Sequence, residues 1–289
     1  MTSFSDNYNE CANAAFAGDL GRLRRAREGG APWGPRACAY AAKGGRLDTL
    51  RWLRAQDPPC LWDWSACAYA AGLERLDTLR WLRAQVPPCP WNSSVCTVAA
   101  KSGRVDALRW LRAQELPSDW WDETVCACAA WGGWRGALRW LRAQEPPYPW
   151  NATSCSWAAK GGQLQTLQWL RTQEPPCPWD WSTCANAAEG GSPEHLELLR
   201  WAREHGAPWD FRVCAYAAEG GTPGHLELLR WAHEHGAEWD GCAGCEQACF
   251  EGHLGASPPP EREGGRRGAP GSGSPRPLAG LRAPKDPAA

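Results

Sequence analysis

One motif recurs at a fixed interval through most of this chain, and its period constrains the fold more than any other feature. Each copy begins near a tryptophan and continues through a pair of alanines, a glycine-containing turn and a leucine-rich stretch. Successive tryptophans are 29 or 30 residues apart. They are Trp33, Trp62, Trp91, Trp121, Trp150, Trp179, Trp209 and Trp239. A period of about 20 to 50 residues is typical of a solenoid, in which each repeat packs only on its neighbours.

Two short helices are predicted in each repeat. A cysteine five residues after the tryptophan, with small residues three and four positions further on, forms one face of the first helix. In the second helix Leu76, Leu79, Trp81 and Leu82 form one apolar stripe. A Pro-Pro pair then ends that helix, because proline lacks the backbone donor and clashes with the preceding turn. The chain is therefore predicted to be an all-α solenoid of stacked helix-turn-helix repeats.

The repeats divide the chain into an array and a tail. The array is expected to span residues 7–254, with a degenerate repeat at 7–33, seven fuller repeats at 34–239 and a partial repeat at 240–254. Residues 255–289 are dominated by Pro, Gly, Ala and Arg. Such a composition offers little apolar surface to bury, so a disordered tail is expected there.

These repeats resemble the ankyrin-repeat family. The Ser65-x-Cys67-x-x-Ala70-Ala71 segment is similar to the family's Thr-Pro-Leu-His-x-Ala-Ala pattern, and Gly224-His225-Leu226-Glu227 matches its Gly-His-Leu-Glu. The resemblance implies stacked helix pairs and a role in binding other proteins. It departs from the family in length, about 29 residues rather than 33, and the projecting β-hairpin fingers are expected to be shortened or absent.

Two residue types recur so regularly that we interpret them as structural core. A residue required by every repeat usually serves packing. The second-helix tryptophans are Trp52, Trp81, Trp110, Trp140, Trp169, Trp201 and Trp231. The first-helix cysteines, called here the slot cysteines, are Cys38, Cys67, Cys96, Cys126, Cys155, Cys184 and Cys214. Stacked helices lie about 8–10 Å apart, which is too far for successive slot cysteines to be joined by a disulfide.

One cluster in the sequence contains residue types that can bind a metal ion. Cys242, Cys245, Cys249 and His253 are ligands that zinc accepts. Cys245 and Cys249 also occupy repeat core positions, and His253 copies the Gly-His-Leu turn, so repeat structure explains the cluster better than a metal site does.

The chain offers no arrangement of residues typical of an enzyme. It contains neither a glycine-rich phosphate loop nor a nucleophile elbow, and we expect no catalysis and no cofactor. The N-terminus shows no secretory signal and no stretch is apolar enough to span a membrane. We therefore expect an intracellular, reduced protein, in the cytoplasm or, as the alternative, in the nucleus.

The partner is expected to be another protein, bound by a monomeric scaffold or adaptor. The net charge of −1 argues against an electrostatic nucleic-acid binder. The alternative is a helical-repeat nucleic-acid binder, which an arginine on each second helix would suit. Those arginines are Arg51, Arg80, Arg109, Arg139, Arg200 and Arg230.

One repeat departs from the pattern and suggests a contact surface. Trp131 stands where other repeats have lysine, Trp134 where they have arginine, and Arg135 where they have leucine. Aromatic residues at positions that are otherwise polar favour an exposed apolar patch, and such patches often mark binding sites. We therefore predict a partner-binding site at these residues.

Overall fold

The computed structural model describes residues 4–237, and within that range the chain is entirely helical. It forms α1–α16, with a short 3-10 helix between α8 and α9, and no β-strand occurs among these residues. The first helices of the pairs are α1 Phe4–Ala17, α3 Pro35–Gly44, α5 Trp64–Gly72, α7 Ser94–Lys101, α9 Glu123–Trp131, α11 Ala152–Lys160, α13 Trp181–Gly190 and α15 Arg212–Gly220. The second helices are α2 Leu20–Glu28, α4 Leu47–Arg54, α6 Leu76–Arg83, α8 Val105–Arg112, α10 Arg135–Arg142, α12 Leu164–Arg171, α14 Pro193–Glu204 and α16 Pro223–Glu234.

Successive helix pairs stack on one another, which confirms the all-α repeat architecture expected from the sequence. The first helices of neighbouring repeats pack directly together, whereas the second helices contact one another less. Small side chains allow this close approach, and Ala70, Ala71, Ala99 and Ala100 are fully buried between α5 and α7. The leucines of the second helices, such as Leu79 and Leu82, complete the core.

The loops between the repeats of residues 4–237 are short and contain no hairpin. The repeating tryptophans, such as Trp62, lie in these loops and are called here the loop tryptophans. The Asp that follows a loop tryptophan caps the first helix of the following pair: the Asp63 carboxylate accepts a hydrogen bond from the Ser65 backbone N–H at 2.9 Å. Asp122 and Asp180 cap α9 and α13 in the same way. A capping side chain satisfies one of the backbone donors left free at a helix N-terminus, which explains why the Trp-Asp pair recurs.

The turn between the two helices of each repeat contains a residue in the left-handed backbone conformation, with a positive φ. Glycine occupies this position in most repeats, including Gly45, Gly103 and Gly133, because it adopts a positive φ without steric cost. Glu74 is the exception, with a φ of 58°. The fold therefore holds this glutamate in a conformation that costs an L-residue free energy.

Some sequence predictions fall outside the described residues. The partial repeat 240–254, the tail 255–289 and the cluster of Cys242, Cys245, Cys249 and His253 all lie beyond residue 237.

The resemblance to the ankyrin-repeat family is not confirmed. The fold supports the broader class of helical repeat proteins.

Candidate functional site

The exposed sides of the first helices carry a row of aromatic and lysine residues. The positions two and five residues after each slot cysteine lie on the same side of a helix, since residues three apart are neighbours on its surface. Stacking of the first helices brings these positions from successive repeats next to one another. We call this row the first-helix face. Its aromatic and basic members are Phe16, Tyr40, Lys43, Tyr69, Lys101, Trp131, Trp157, Lys160 and Tyr216.

The N-terminal part of the first-helix face is built around one lysine. The Lys43 ammonium lies 5.4 Å from the ring centroids of both Tyr40 and Tyr69, and 6.0 Å from that of Phe16. The two tyrosine rings meet edge to face at 6.3 Å. A cation over aromatic rings is held by the negative potential of their faces. Three successive repeats thus contribute to a single cationic, aromatic cluster.

The middle of the face contains a shallow cavity between two tryptophans. It has a volume of about 510 Å³ and is lined by Lys101, Trp131, Trp157, Lys160 and Asn186. The Lys101 ammonium lies 4.0 Å from the centroid of the Trp131 ring. Both tryptophan rings are half-buried and both lysines are exposed. Two aromatic surfaces and two cations therefore open onto one space.

Charge changes sign along the first-helix face. Lys160 pairs with Glu189 of the next repeat at 2.8 Å. Glu189 and Glu219 occupy the position that lysine holds in earlier repeats, and both are exposed. The basic portion of the face therefore ends at Lys160, and one aromatic residue, Tyr216, lies beyond it.

Trp134 belongs to a contact between repeats. Its indole N–H donates to the Lys101 carbonyl oxygen at 2.8 Å, at the end of the preceding first helix. At the same turn in another repeat, the Arg46 guanidinium donates to the Phe16 carbonyl oxygen at 3.2 Å. Trp134 replaces the arginine in this contact, although 46% of its surface stays exposed. Of the three predicted patch residues, Trp131 lies on the first-helix face, and Arg135 is exposed at the start of α10.

The arginines of the second helices lie on a different surface and three of them are neutralised. Arg51, Arg80 and Arg109 pair with Asp48, Asp77 and Asp106 at 3.3, 3.5 and 3.3 Å. Each ion pair is exposed to solvent and joins residues three apart on one helix. Paired charges of this kind attract an anionic ligand less than free lysines do.

The second-helix tryptophans are half-buried and contact the tryptophan of the preceding loop. Trp81 meets Trp62 edge to face at 6.3 Å, and Trp52 meets Trp33 at 5.6 Å. An arginine lies over most of the loop rings, as the Arg54 guanidinium does at 4.0 Å from the Trp62 centroid. Trp110, Trp169, Trp201 and Trp231 contact their loop tryptophans in the same way. Trp140 differs, because its ring lies 6.4 Å from Tyr148, on which the loop ring of Trp121 stacks.

The slot cysteines are buried and have no exposed surface. Burial raises the pKa of the Cys96, Cys126, Cys184 and Cys214 thiols to about 12, because a thiolate loses its hydration in the core. Thiols with a raised pKa are poor nucleophiles at neutral pH. Within residues 4–237 no group of three or more His, Cys, Asp or Glu side chains is placed to hold a metal ion.

The first-helix face was not recognised as a unit from the sequence. The spacing of two and five residues after the slot cysteine was a usable signal, because it repeats in every first helix. Its meaning depended on which side of the helix remains open to solvent, and only the packing of neighbouring repeats decides that.

Comparison with known proteins gives matches to solved structures and to no family model or curated protein. Among solved structures the chain is similar to the pentatricopeptide repeat protein PPR10 in complex with an 18-nt psaJ RNA element, at 14% identity and a TM-score of 0.32. A cysteine-to-serine variant of PPR10 with the same RNA matches at the same 14% identity and TM-score of 0.32. Each match covers 85% of this chain and 40% of the solved chain.

These matches correct one prediction. We predicted a protein partner and did not expect nucleic acid, whereas both matched structures are complexes with RNA. Net charge averages over the whole chain, so the value of −1 does not show the change of sign between Lys160 and Glu189 along the first-helix face. A likeness at 14% identity and a TM-score of 0.32 does not identify a ligand for this chain. What the chain binds has to be argued from its own surface.

No helix in the described part of the chain is long and apolar enough to cross a membrane.

Proposed function

We propose that this protein is a non-catalytic helical-repeat protein that binds single-stranded nucleic acid along its first-helix face. The observation that carries the proposal is the alternation of lysines and partly exposed aromatic rings across successive repeats. Single-strand binders combine positive charge, which tracks the phosphates, with aromatic rings on which bases stack. A duplex would hide the faces of its bases, so the aromatic residues favour a single strand.

Three lysines supply the charge for phosphate contact. Lys43, Lys101 and Lys160 recur at one position of their first helices, and each lies beside aromatic side chains of the same face. Lys43 and Lys101 lie over aromatic rings, where their charge stays close to a stacking surface. Lys160 shares its charge with Glu189, which makes it the weakest of the three.

Aromatic residues supply the stacking surfaces. Each base stacked on an aromatic ring contributes about 1–3 kcal/mol. Trp131 and Trp157, on neighbouring repeats, both line the cavity and offer such surfaces. We assign the proposed contact role within the predicted patch to Trp131. Trp134 serves the inter-repeat contact, and Arg135 lies beside it at the edge of the site.

The test measures binding of the full chain to labelled single-stranded oligonucleotides of about 20 residues, RNA and DNA in parallel, by fluorescence anisotropy. With three phosphate contacts, the slope of log K against log salt should be about −2. The variant Lys43→Gln/Lys101→Gln/Lys160→Gln should bind at least about tenfold more weakly, with a smaller slope.

A matched control removes the same amount of positive charge from the other surface. Arg51→Gln/Arg80→Gln/Arg109→Gln should bind as the unmodified protein does, because these arginines are paired with aspartates on the second helices. Circular dichroism establishes that both variants are folded. Equal losses in the two variants would show non-specific attraction, and the absence of salt-dependent binding to either RNA or DNA would reject the proposal.

A further inference from the structure

Three repeats contain two buried cysteines that lie side by side. In each, a slot cysteine is 22 residues before a second cysteine, which stands two positions before the next loop tryptophan. All six are at most 1% exposed. The pairs are Cys38 with Cys60, Cys67 with Cys89, and Cys155 with Cys177.

The geometry of the three pairs is the same. The slot thiols lie 3.9, 4.0 and 3.8 Å from the carbonyl oxygens of Cys60, Cys89 and Cys177. The loop sulfurs lie 3.5, 3.4 and 3.3 Å from the carbonyl oxygens of the residues at the start of the first helix. Each loop cysteine is thus folded back onto the helix that carries its slot cysteine. Each slot sulfur therefore contacts the backbone of its loop cysteine.

We propose that these pairs are dithiol sites that oxidise to disulfides within single repeats, joining Cys38 to Cys60, Cys67 to Cys89 and Cys155 to Cys177. A slot sulfur that already contacts the backbone of its loop cysteine needs little backbone movement to form the bond. The sequence argument excluded disulfides only between successive slot cysteines. The contact that matters lies within a repeat, between the first helix and the loop after the second helix.

The oxidation is balanced with a peroxide as oxidant. One cysteine sulfur attacks an oxygen of hydrogen peroxide, the O–O bond breaks, and a sulfenic acid and one water form. The second thiol attacks the sulfenic sulfur, the S–O bond breaks, and a second water leaves as the S–S bond forms. Each pair gives up two electrons and two protons to one peroxide. The product links the end of each repeat to its own first helix, which reduces the entropy of the unfolded chain.

Other repeats provide internal controls. Tyr148 occupies the loop position in the repeat of Cys126, and Ala207 and Ala237 occupy it in the repeats of Cys184 and Cys214. These slot cysteines are as deeply buried as the paired ones. Burial alone therefore predicts the same behaviour for all slot cysteines, whereas pairing predicts two classes.

The experiment treats the folded, reduced full chain with hydrogen peroxide, blocks the remaining thiols with N-ethylmaleimide after unfolding, and maps peptides by mass spectrometry without reduction. We expect the three cross-links named above, with Cys126 and Cys184 recovered as blocked thiols. The midpoint temperature of unfolding should rise by several degrees and return after dithiothreitol.

Two variants make the result specific. Cys60→Ala, which installs the residue found at the same position in the repeats ending near Ala207 and Ala237, should lose only the link to Cys38. Tyr148→Cys should gain a link between position 148 and Cys126, which have the same separation of 22 residues as the natural pairs. Cross-links between different repeats, such as Cys126 with Cys177, would overturn the proposal. Six thiols that all stay reduced under conditions that oxidise a small dithiol would also overturn it.

Discussion

At the scale of single residues, the array tolerates one glutamate where its other turns use glycine. Glu74 has a φ of 58°, close to the 69° of Gly103 in the next repeat. Its carboxylate pairs with Arg104 of that repeat at 3.3 Å, but both side chains are about 40% exposed, at 39% and 41%. Exposed ion pairs contribute at most about 1 kcal/mol, which does not exceed the cost of the left-handed backbone.

Replacing this residue should stabilise the protein. We expect Glu74→Gly to raise the free energy of unfolding by about 1 kcal/mol, because glycine adopts the left-handed conformation without a Cβ clash. Urea unfolding followed by circular dichroism measures the change. The control Glu74→Ala also loses the ion pair but keeps the strain, so it should not be stabilised. Equal stabilities of the two variants would contradict the backbone explanation.

At the scale of the repeat, two helices are held together by an arginine and two tryptophans. The Arg83 guanidinium lies 3.9 Å from the Trp91 centroid, and Trp91 meets Trp110 of the next second helix at 6.1 Å. The same arrangement recurs along the array, as with Arg171, Trp179 and Trp201. Edge-to-face aromatic pairs and covering arginines each contribute about 0.5–1.5 kcal/mol beyond burial, so the loop adds to the stability of the repeat.

Removing one of these rings should destabilise the array measurably. We expect Trp81→Ala to lower the free energy of unfolding by about 2–4 kcal/mol, somewhat less than a fully buried aromatic, because the Trp81 ring is half-buried against Trp62. Equilibrium unfolding in urea gives the value. Trp64→Ala is the matched control, since that ring is 45% exposed, and it should change stability by no more than about 0.5 kcal/mol. Equal effects of the two changes would show that the second-helix ring does not hold the repeat together.

At the scale of the whole array, stability is a sum of neighbouring contacts. The first helix α5 packs on α3 and α7, and the other internal first helices likewise pack on the pair before and the pair after. In such a chain each repeat contributes its own folding free energy and one interface on each side. No contact between distant repeats is needed to hold the fold.

Deleting one complete repeat should therefore leave a folded protein. After removal of 63–91, Trp62 is followed by Asn92 and α3 can stack on α7, so we expect a helical, cooperatively unfolding chain of lower stability. Circular dichroism and urea unfolding establish both points. Removing 63–75 instead leaves α6 without its partner helix α5 and should unfold the neighbouring repeats. A loss of structure after the complete deletion would show that the repeats are not interchangeable units.

The sequence alone determined the period, the helix pair in each repeat and the burial of its leucines and slot cysteines. Those features follow from spacing within one helix, where positions three and four apart share a face whatever lies around them. Other features depend on how one element packs against another. They are the cysteine pairs, the contacts of the Lys43 ammonium with aromatic rings, and the hydrogen bond donated by the Trp134 indole N–H. The tertiary structure decided them, because the rotation of each helix in the stack sets which side chains of different elements meet, and no spacing along the chain encodes that rotation.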